Sequence, residues 1–446
     1  MSFRDDLAVL VGRIGGATHR LFTGRESTAL PGYVAERLGN DPLHMLVSKR
    51  RYRAIICITG TNGKTTTTLL TRTALEQAGY VVVNNSSGSN LYRGILTTIM
   101  HDVRQGYETI LLLEVDEASM PRVMQAVRPT HCVVLNLFRD QLDRYGEVDT
   151  TRQLLETAFQ KYPSLELILN ADDPHVANLG LHQRAKYFGL DLKGLKALPH
   201  DHAADVPLSP ITGSVIEYRQ RYFGHVGIWQ AIDGSVSRPQ RSLRVVESEH
   251  RPDGQKLTIK MGKIQHTLST NLTGAYSLYN VAATTLLMQE LGVSIENVQK
   301  AMLYSRTAFG RQEILHYQGA QLTFFLIKNP TGFNQVIQSH LQSNARTPLL
   351  FIINDNFADG RDISWLWDAA IEDMHIRGRI LVSGSRAYDM ALRLEYAGFA
   401  CEVEMDVAKA LQRLAEISAE GAAYVMPTYT ALLQCRKLMS LDLEHK

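Results

Sequence analysis

The chain has 446 residues, more than one hydrophobic core usually organises, so two or three domains are expected. Its 47 basic and 45 acidic side chains leave a formal net charge of +2, which makes no electrostatic case for nucleic acid or an acidic membrane as partner. Four scattered cysteines (Cys57, Cys132, Cys401, Cys435) form no CxxC pair, which argues against a disulfide framework or a cysteine-built metal site and suits a reducing cytoplasm.

The chain opens with MSFRDDLAVLVGRIGGATHRLF, which carries charges inside its apolar stretch and no small-residue cleavage pattern. It reads as an amphipathic helix packed on the body, neither secretory signal nor membrane span. Residues 1–52 are expected to form one or two helices and a turn at Pro31-Gly32. The run Arg50-Arg51-Tyr52-Arg53 then leads into the most informative stretch, Ile55–Leu70. A β-branched strand there gives way to Gly60-Thr61-Asn62-Gly63-Lys64-Thr65-Thr66 and then to a helix. Such a turn aims backbone N–H groups and the positive end of a helix dipole at an anion. Gly60 and Gly63 let the backbone approach phosphate oxygens, Lys64 can reach the β- and γ-phosphates, and the Thr65 hydroxyl can ligate the accompanying Mg²⁺. Ile58 stands where the longer nucleotide motif asks for glycine, so the pattern is GxxGKT. These residues predict binding of ATP or a close relative.

Three further apolar strands end in acids or amides. A strand at Tyr80–Val83 precedes a polar loop, and the run from Thr109 ends in Glu114-Val115-Asp116-Glu117, where Glu114 or Glu117 could hold Mg²⁺. His131–Leu135 ends in Asn136-Leu137-Phe138-Arg139-Asp140-Gln141-Leu142-Asp143, and Leu165–Leu169 in Asn170-Ala171-Asp172-Asp173-Pro174. Alternating strands and helices predict a doubly wound, mainly parallel α/β domain with these groups along one sheet edge. From about 191 to 243 the helical period is lost and a small aromatic insert is expected. Strands at 255–268 and helices at Gly274–Leu291 and Ile295–Tyr304 follow. A second, Rossmann-like α/β unit then carries strands at Leu322–Ile327, Leu349–Ile353, Ile380–Val382 and Tyr424–Met426. The expected divisions are a helical segment at 1–52, a central ATPase domain at 53–304 and a C-terminal domain at 305–446.

These motifs carry a family resemblance. GTNGKTTT (Gly60–Thr67), EVDE (Glu114–Glu117), NxxxDQLD (Asn136–Asp143), NADDP (Asn170–Pro174) and GRQE (Gly310–Glu313) resemble the central domain and hinge of Mur ligases. KNPTGFNQV (Lys328–Val336), NDNFADGRDISWLWD (Asn354–Asp368) and SGSRAYDMALRLEYAG (Ser383–Gly398) resemble the MurT family, ligase subunits of the MurT–GatD lipid II isoglutaminyl synthases. The resemblance implies amidation of the α-carboxylate of D-isoglutamate in the lipid II stem peptide, giving D-isoglutamine. ATP would phosphorylate the carboxylate, and ammonia from glutamine, released by a GatD glutaminase subunit, would displace the phosphate. It implies a heterodimer acting in the cytoplasm at the inner membrane face, with peripheral membrane contact through the substrate.

On residues, the resemblance gives Thr65 and Glu114 as Mg²⁺ ligands with Glu117 second, and Asn170, Asp173 and Arg311 as nucleotide contacts. Asp355 would complete the partner's Cys–His pair across the interface, with Asp359 and Asp362 as alternatives. Trp365 and Trp367 either pack or support that interface. The insert resembles a zinc ribbon whose four ligand positions fall on Ser209, Thr212, Gln230 and Asp233; these are poor zinc ligands, so no zinc is expected and aromatics would hold the ribbon. Two other functions compete: an amino-acid-adding Mur- or folylpolyglutamate-type ligase, against which the Asn354–Asp368 block argues, and a nucleotide-binding regulatory scaffold, against which Lys64 and Glu114 argue. No NKxD pattern supports a GTPase.

Overall fold

The computed structural model describes residues 3–23, 27, 29–85, 89–139, 148–192, 208–209, 211–251, 254–304, 311–342, 346–418 and 421–444. Three helices open the chain, Phe3–Thr23, Leu30–Leu38 and Pro42–Ser48, where one or two were expected. Pro31-Gly32 is not a turn but the first turn of the second helix. Proline fits there because the missing N–H would have no intrahelical partner. Gly32 packs so closely on the helix Tyr92–His101 that an added Cβ would lie 2.0 Å from the Arg93 carbonyl oxygen.

The next eleven strands are β1 (Ala54–Thr59), β2 (Val81–Asn84), β3 (Thr109–Glu114), β4 (His131–Val134), β5 (Glu166–Asn170), β6 (Arg184–Leu190), β7 (Ile216–Phe223), β8 (Val226–Ala231), β9 (Leu243–Arg251), β10 (Gly254–Met261) and β11 (Ile264–Thr270). All but β7 and β8 join one sheet in the order β11-β10-β9-β6-β5-β4-β1-β3-β2. It is parallel from β2 to β9 and antiparallel at β9-β10-β11. Because strand side chains alternate, Ile56 and Ile58 join one core with Leu112 and Leu70, while Cys57 joins the opposite core with Leu111 and Leu113. Both faces are covered, so these strands read as unbroken apolar runs.

The second sheet comprises β12 (Arg311–Tyr317), β13 (Ala320–Phe325), β14 (Leu349–Ile352), β15 (Ile380–Ser383), β16 (Glu402–Val403) and β17 (Ala422–Pro427), ordered β12-β13-β17-β14-β15-β16. It is parallel apart from the β12–β13 hairpin. Like the first, it is covered on two faces, by separate apolar clusters around Leu350 and Phe351.

The insert is a β7–β8 hairpin bound into the main sheet. Trp229 Nε1 donates to the Ala171 carbonyl at 3.0 Å, and the Gly227 N–H to the Asp172 carbonyl at 2.8 Å. The fully buried Asp172 carboxylate accepts from Arg238 Nε at 2.7 Å, Tyr279 Oη at 2.7 Å and the Leu190 amide at 2.8 Å. Removing one partner of a buried ion pair leaves the other charge uncompensated. Arg238→Ala should therefore cost about 3 kcal/mol of unfolding free energy in a denaturant titration. The double change Asp172→Asn with Arg238→Gln should cost less than the sum of its parts, whereas strict additivity would show that the two side chains are uncoupled.

Candidate active site

β1 lies between β3 and β4, where the chain reverses its direction of winding, and the loops after these strands converge at the sheet edge. Gly60 and Gly63 have φ of +130° and +91°, and a Cβ on Gly63 would lie 2.4 Å from Asn280 Oδ1, so glycine is required on both counts. The helix Lys64–Gln77 starts directly after Gly63 and no side chain caps it, leaving first-turn N–H groups directed at the loop.

Lys64 Nζ donates to the Gly60 carbonyl at 2.6 Å and to Glu117 Oε2 at 3.0 Å, both side chains being buried. Burial alone would raise the Glu117 carboxyl, but the Lys64 ammonium offsets it and holds the group below its ordinary range. Thr65 Oγ1 stands 3.2 Å from Glu114 Oε1, and Asn85 fixes the Glu114 backbone with bonds of 2.9 and 2.8 Å to its N–H and carbonyl. Of the three expected Mg²⁺ ligands, the structure thus pairs Thr65 with Glu114 and turns Glu117 to Lys64. A hydroxyl and a carboxylate side by side fit a hard cation that keeps several waters and phosphate oxygens. Among the described residues no three His, Cys, Asp or Glu side chains form a cage of their own.

The loop after β4 grips the phosphate loop. Asn136 Oδ1 accepts from the Asn62 amide at 2.8 Å and its Nδ2 donates to the Asn62 carbonyl at 2.9 Å. The Thr61 amide donates to the Asn136 carbonyl at 3.0 Å, and Thr61 Oγ1 accepts from the Phe138 amide at 2.9 Å. Asn170 and Asp173, expected as nucleotide contacts, lie behind this loop. Asn170 Nδ2 donates to the Leu135 carbonyl at 2.9 Å. Asp173 accepts from the Leu137 amide at 2.8 Å and caps the helix Pro174–Asn178. Both are buried, and through these bonds they brace the strand-end loop that in turn braces Asn62. Arg311 opens β12, but its side chain lies outside the described residues, as do Gly310 and the Asp140–Asp143 segment.

The second sheet reaches the same loop from 267 positions away. Lys328 Nζ donates to the Thr61 carbonyl at 3.2 Å and Asn329 Nδ2 to Asn62 Oδ1 at 3.3 Å. Lys328 also adds positive charge near Glu117. A cavity of about 170 Å³ opens beside Thr66, walled by Leu272, Tyr276, Asn280, Phe325 and His340. Neither Lys328 nor Asn280 was assigned a role from sequence. The Asn-Pro pair after Lys328 marks a helix start, but nothing local shows which loop that start faces.

Asp355 follows β14 at the edge of the second sheet. Ser385 Oγ donates to its Oδ1 at 2.8 Å and Arg386 Nε to its Oδ2 at 2.8 Å, and the carboxylate is about a third exposed. The Ser385 hydroxyl, with the Arg386 guanidinium, holds this carboxyl below the usual range, so it is an ionised acceptor at the surface. The alternatives are differently placed. Asp359 is buried and accepts from the Thr430 amide at 2.7 Å and the Asn356 amide at 3.2 Å. Asp362 accepts from the Ser364 amide at 2.8 Å. Trp365 packs edge-on to Phe333, whereas Trp367 is half exposed against Tyr396.

In the insert, Ser209 and Ser235 hydroxyls lie 3.0 Å apart, and Thr212 bonds to Asp233 and lies 3.3 Å from Ser235. Gln230 is exposed on β8, outside this group, because strand alternation turns it away; Ser235 takes the fourth place. The aromatics do anchor the hairpin, since Tyr222 Oη donates to the Leu190 carbonyl and Tyr218 Oη to that of His225, each at 2.8 Å.

Comparison with known proteins adds independent findings. Residues 58–202 match the Mur ligase middle domain and residues 326–432 the MurT ligase C-terminal domain. The chain is 33% identical to the lipid II isoglutaminyl synthase (glutamine-hydrolyzing) subunit MurT of Streptococcus pneumoniae, over 99% of this chain and 98% of that protein. It is 29% identical to the subunit of the same name from Staphylococcus aureus strain N315, over 92% of each. In fold it is similar to a pseudomurein peptide ligase type C from Methanothermus fervidus, with a TM-score of 0.71, 17% identity, and coverage of 89% of this chain and 80% of that one.

The Lys64–Glu117 pair makes stability depend on pH. A depressed carboxyl stabilises the fold above its unfolded pKa and loses that contribution as pH falls through the folded value. In Lys64→Met burial dominates, the Glu117 carboxyl rises, and its penalty is relieved as pH falls. The variant should therefore be less stable than the parent by about 3 kcal/mol at neutral pH, with the gap narrowing toward pH 5 in denaturant titrations. A gap independent of pH would show that the pair carries no such linkage.

Proposed function

The chain belongs to the MurT family of Mur-ligase-like subunits, and from that premise we propose that it amidates the D-isoglutamate α-carboxylate of the lipid II stem peptide at the expense of ATP, with ammonia supplied by a GatD-type glutaminase subunit. The observation that carries this reading is the meeting of three segments, Gly60–Thr66, Asn136–Phe138 and Lys328–Asn329, at one phosphate loop. Two ammonium groups, Lys64 and Lys328, stand there beside an oxygen pair suited to Mg²⁺.

A carboxylate is a poor electrophile at neutral pH. Transfer of the γ-phosphoryl group to one of its oxygens makes an acyl phosphate; ammonia then attacks the carbonyl carbon, phosphate leaves and the nitrogen loses a proton, giving the amide. In this scheme Lys64 and Lys328 neutralise charge gathering on the transferring phosphoryl oxygens, and the first-turn N–H groups orient them. Bound at Thr65 and Glu114, Mg²⁺ would add Lewis-acid polarisation of the same oxygens. The base of the nucleotide would occupy the cavity beside Thr66, between Tyr276 and Phe325.

Asp355 would orient the partner's catalytic imidazole and stabilise its charged form. It is ionised, about a third exposed and held by two fixed donors, while Asp359 is buried and spends its oxygens on the Asn356 and Thr430 amides. Exposed aromatics close to it in sequence or to its partner Arg386, Phe357 and Tyr388, offer the large amphipathic surfaces that partner interfaces favour.

The test is an amidation assay on the complex with a co-expressed GatD-type subunit, given lipid II, Mg-ATP and either glutamine or ammonium. Asp355→Asn should lose glutamine-driven product and keep ammonium-driven product; retention of both would make Asp355 structural. Lys64→Ala should abolish both reactions, and Lys328→Ala should lower both by about a hundredfold, the usual size of an electrostatic contribution at a reacting centre. Parent complex that makes no isoglutamine even from ammonium would refute the ligase reading.

A further inference from the structure

The first helix, Phe3–Thr23, is packed inside out. Its body-facing side is mostly small: Ala8 and Gly12 are buried, Val9 is the one large apolar side chain turned inward, and a Cβ on Gly12 or on Gly16 would lie 2.6 Å from an atom of Pro31. Its outward side carries the large apolar ones. Phe3, Leu21 and Phe22 are 82%, 86% and 86% exposed, and Leu7, Leu10 and Ile14 about half exposed. Phe3, Leu7, Leu10, Ile14 and Leu21 recur at intervals of three, four and seven, so they form one stripe along a helix of 21 residues, about 31 Å long.

The helix is nevertheless firmly seated. Asp5 is buried and accepts from the Asn40 and Asp41 amides at 2.6 and 3.1 Å, and Arg13 Nε donates to the Met100 carbonyl at 2.9 Å. The stripe therefore does not face outward for want of attachment. Exposed apolar surface this continuous marks a contact with something apolar.

The charges around the stripe indicate what that is. Both acids of the helix are already engaged, Asp5 as above and Asp6 in an ion pair with Lys49. Arg4 and Arg20 are exposed on the two flanks of the stripe, Arg4 with its Nε on the Leu38 carbonyl at 2.7 Å, and Arg13 is half-buried on the flank of Arg20. The near-neutral whole thus hides a local excess of basic groups around an apolar face. A bilayer surface bearing anionic headgroups satisfies both features at once.

We propose that the helix Phe3–Thr23 seats this protein on anionic phospholipid surfaces, its apolar stripe entering the acyl boundary and its arginines meeting headgroup phosphates. Among the described residues no helix is long and apolar enough to cross a membrane, so the contact is peripheral and reversible. The proposal gains its purpose from the lipid-linked substrate of the proposed function, and it adds a membrane contact made by the protein itself.

The experiment is vesicle flotation of the full chain, alone and with its partner subunit, on phosphatidylcholine and on phosphatidylcholine–phosphatidylglycerol mixtures. Binding is expected on the mixed vesicles and should fall at least about tenfold in L10S/I14S/F22S, whose changes are on exposed positions and should leave the thermal melt unchanged. Arg4→Gln with Arg20→Gln should selectively weaken binding to the anionic mixture. Equal binding by parent and triple variant would overturn the proposal. So would a dimer, or a partner complex, that the parent forms and the triple variant loses. Amidation of detergent-dispersed lipid II should be equal in parent and triple variant. Absence of that activity in the parent would count against the function reading alone, since flotation is read without it.

Discussion

The double hydrogen bond between the Asn136 carboxamide and the backbone of Asn62 is the constraint from which the site is built. A glycine-bracketed loop has many accessible conformations, and ordering it costs roughly 1–2 kcal/mol of backbone entropy per residue. Asn136 offers a donor and an acceptor on one planar group, which fixes the Asn62 peptide in register with the end of β4. Thr61 adds two bonds to the same segment, so the loop is held open before any anion arrives. Preorganisation of this kind is where electrostatic catalysis draws its effect, because the donors need not reorganise as charge moves.

The clasp has two further layers. Behind it, Asn170 and Asp173 fix Leu135 and Leu137, so the acid and amide at that strand end brace the loop in front of them. In front of it, Lys328 and Asn329 bond to the two residues that Asn136 has already immobilised. The two sheets therefore meet at the least tolerant point of the molecule. The insert completes the junction: a Cβ on Gly224, at its tip, would lie 3.0 Å from the Phe138 ring and 3.7 Å from the Thr331 side chain. His225 beside it stands 3.4 Å from Asp173. What the sequence presents as a degenerate ribbon is in the fold a wedge between the phosphate-side loop and the second sheet.

The contrast between the two ends of the chain follows from the same packing logic. At the phosphate loop, buried polar groups gain from being paired, and the bonds to Thr61, Asn62 and Lys64 make a rigid centre. At the first helix, most large apolar groups are exposed, and the helix is held by close backbone approach at Gly12 and Gly16, by buried Val9 and by the bonds of Asp5 and Arg13.

Local sequence by itself determined the elements that depend on local physics. Buried parallel strands announce themselves as apolar runs, the Gly-Lys-Thr turn by its glycines and following helix, and the two α/β units by their alternation. The motifs of the Mur ligases and of the MurT family carried the membership that the comparisons established. Tertiary structure alone decided how side chains of the same type divide their labour. Glu114 and Glu117 are three residues apart and chemically equivalent, yet one meets Thr65 and the other Lys64, because only Glu114 still lies on β3. Asp355 and Asp359 differ likewise, since whether the turn after β14 points a carboxylate outward or back at Thr430 depends on a segment 71 positions away. Lys328 was legible as part of a motif but not in its role, which is set by a contact across 267 positions. Periodicity and spacing report on neighbours along the chain, and these assignments rest on neighbours in space.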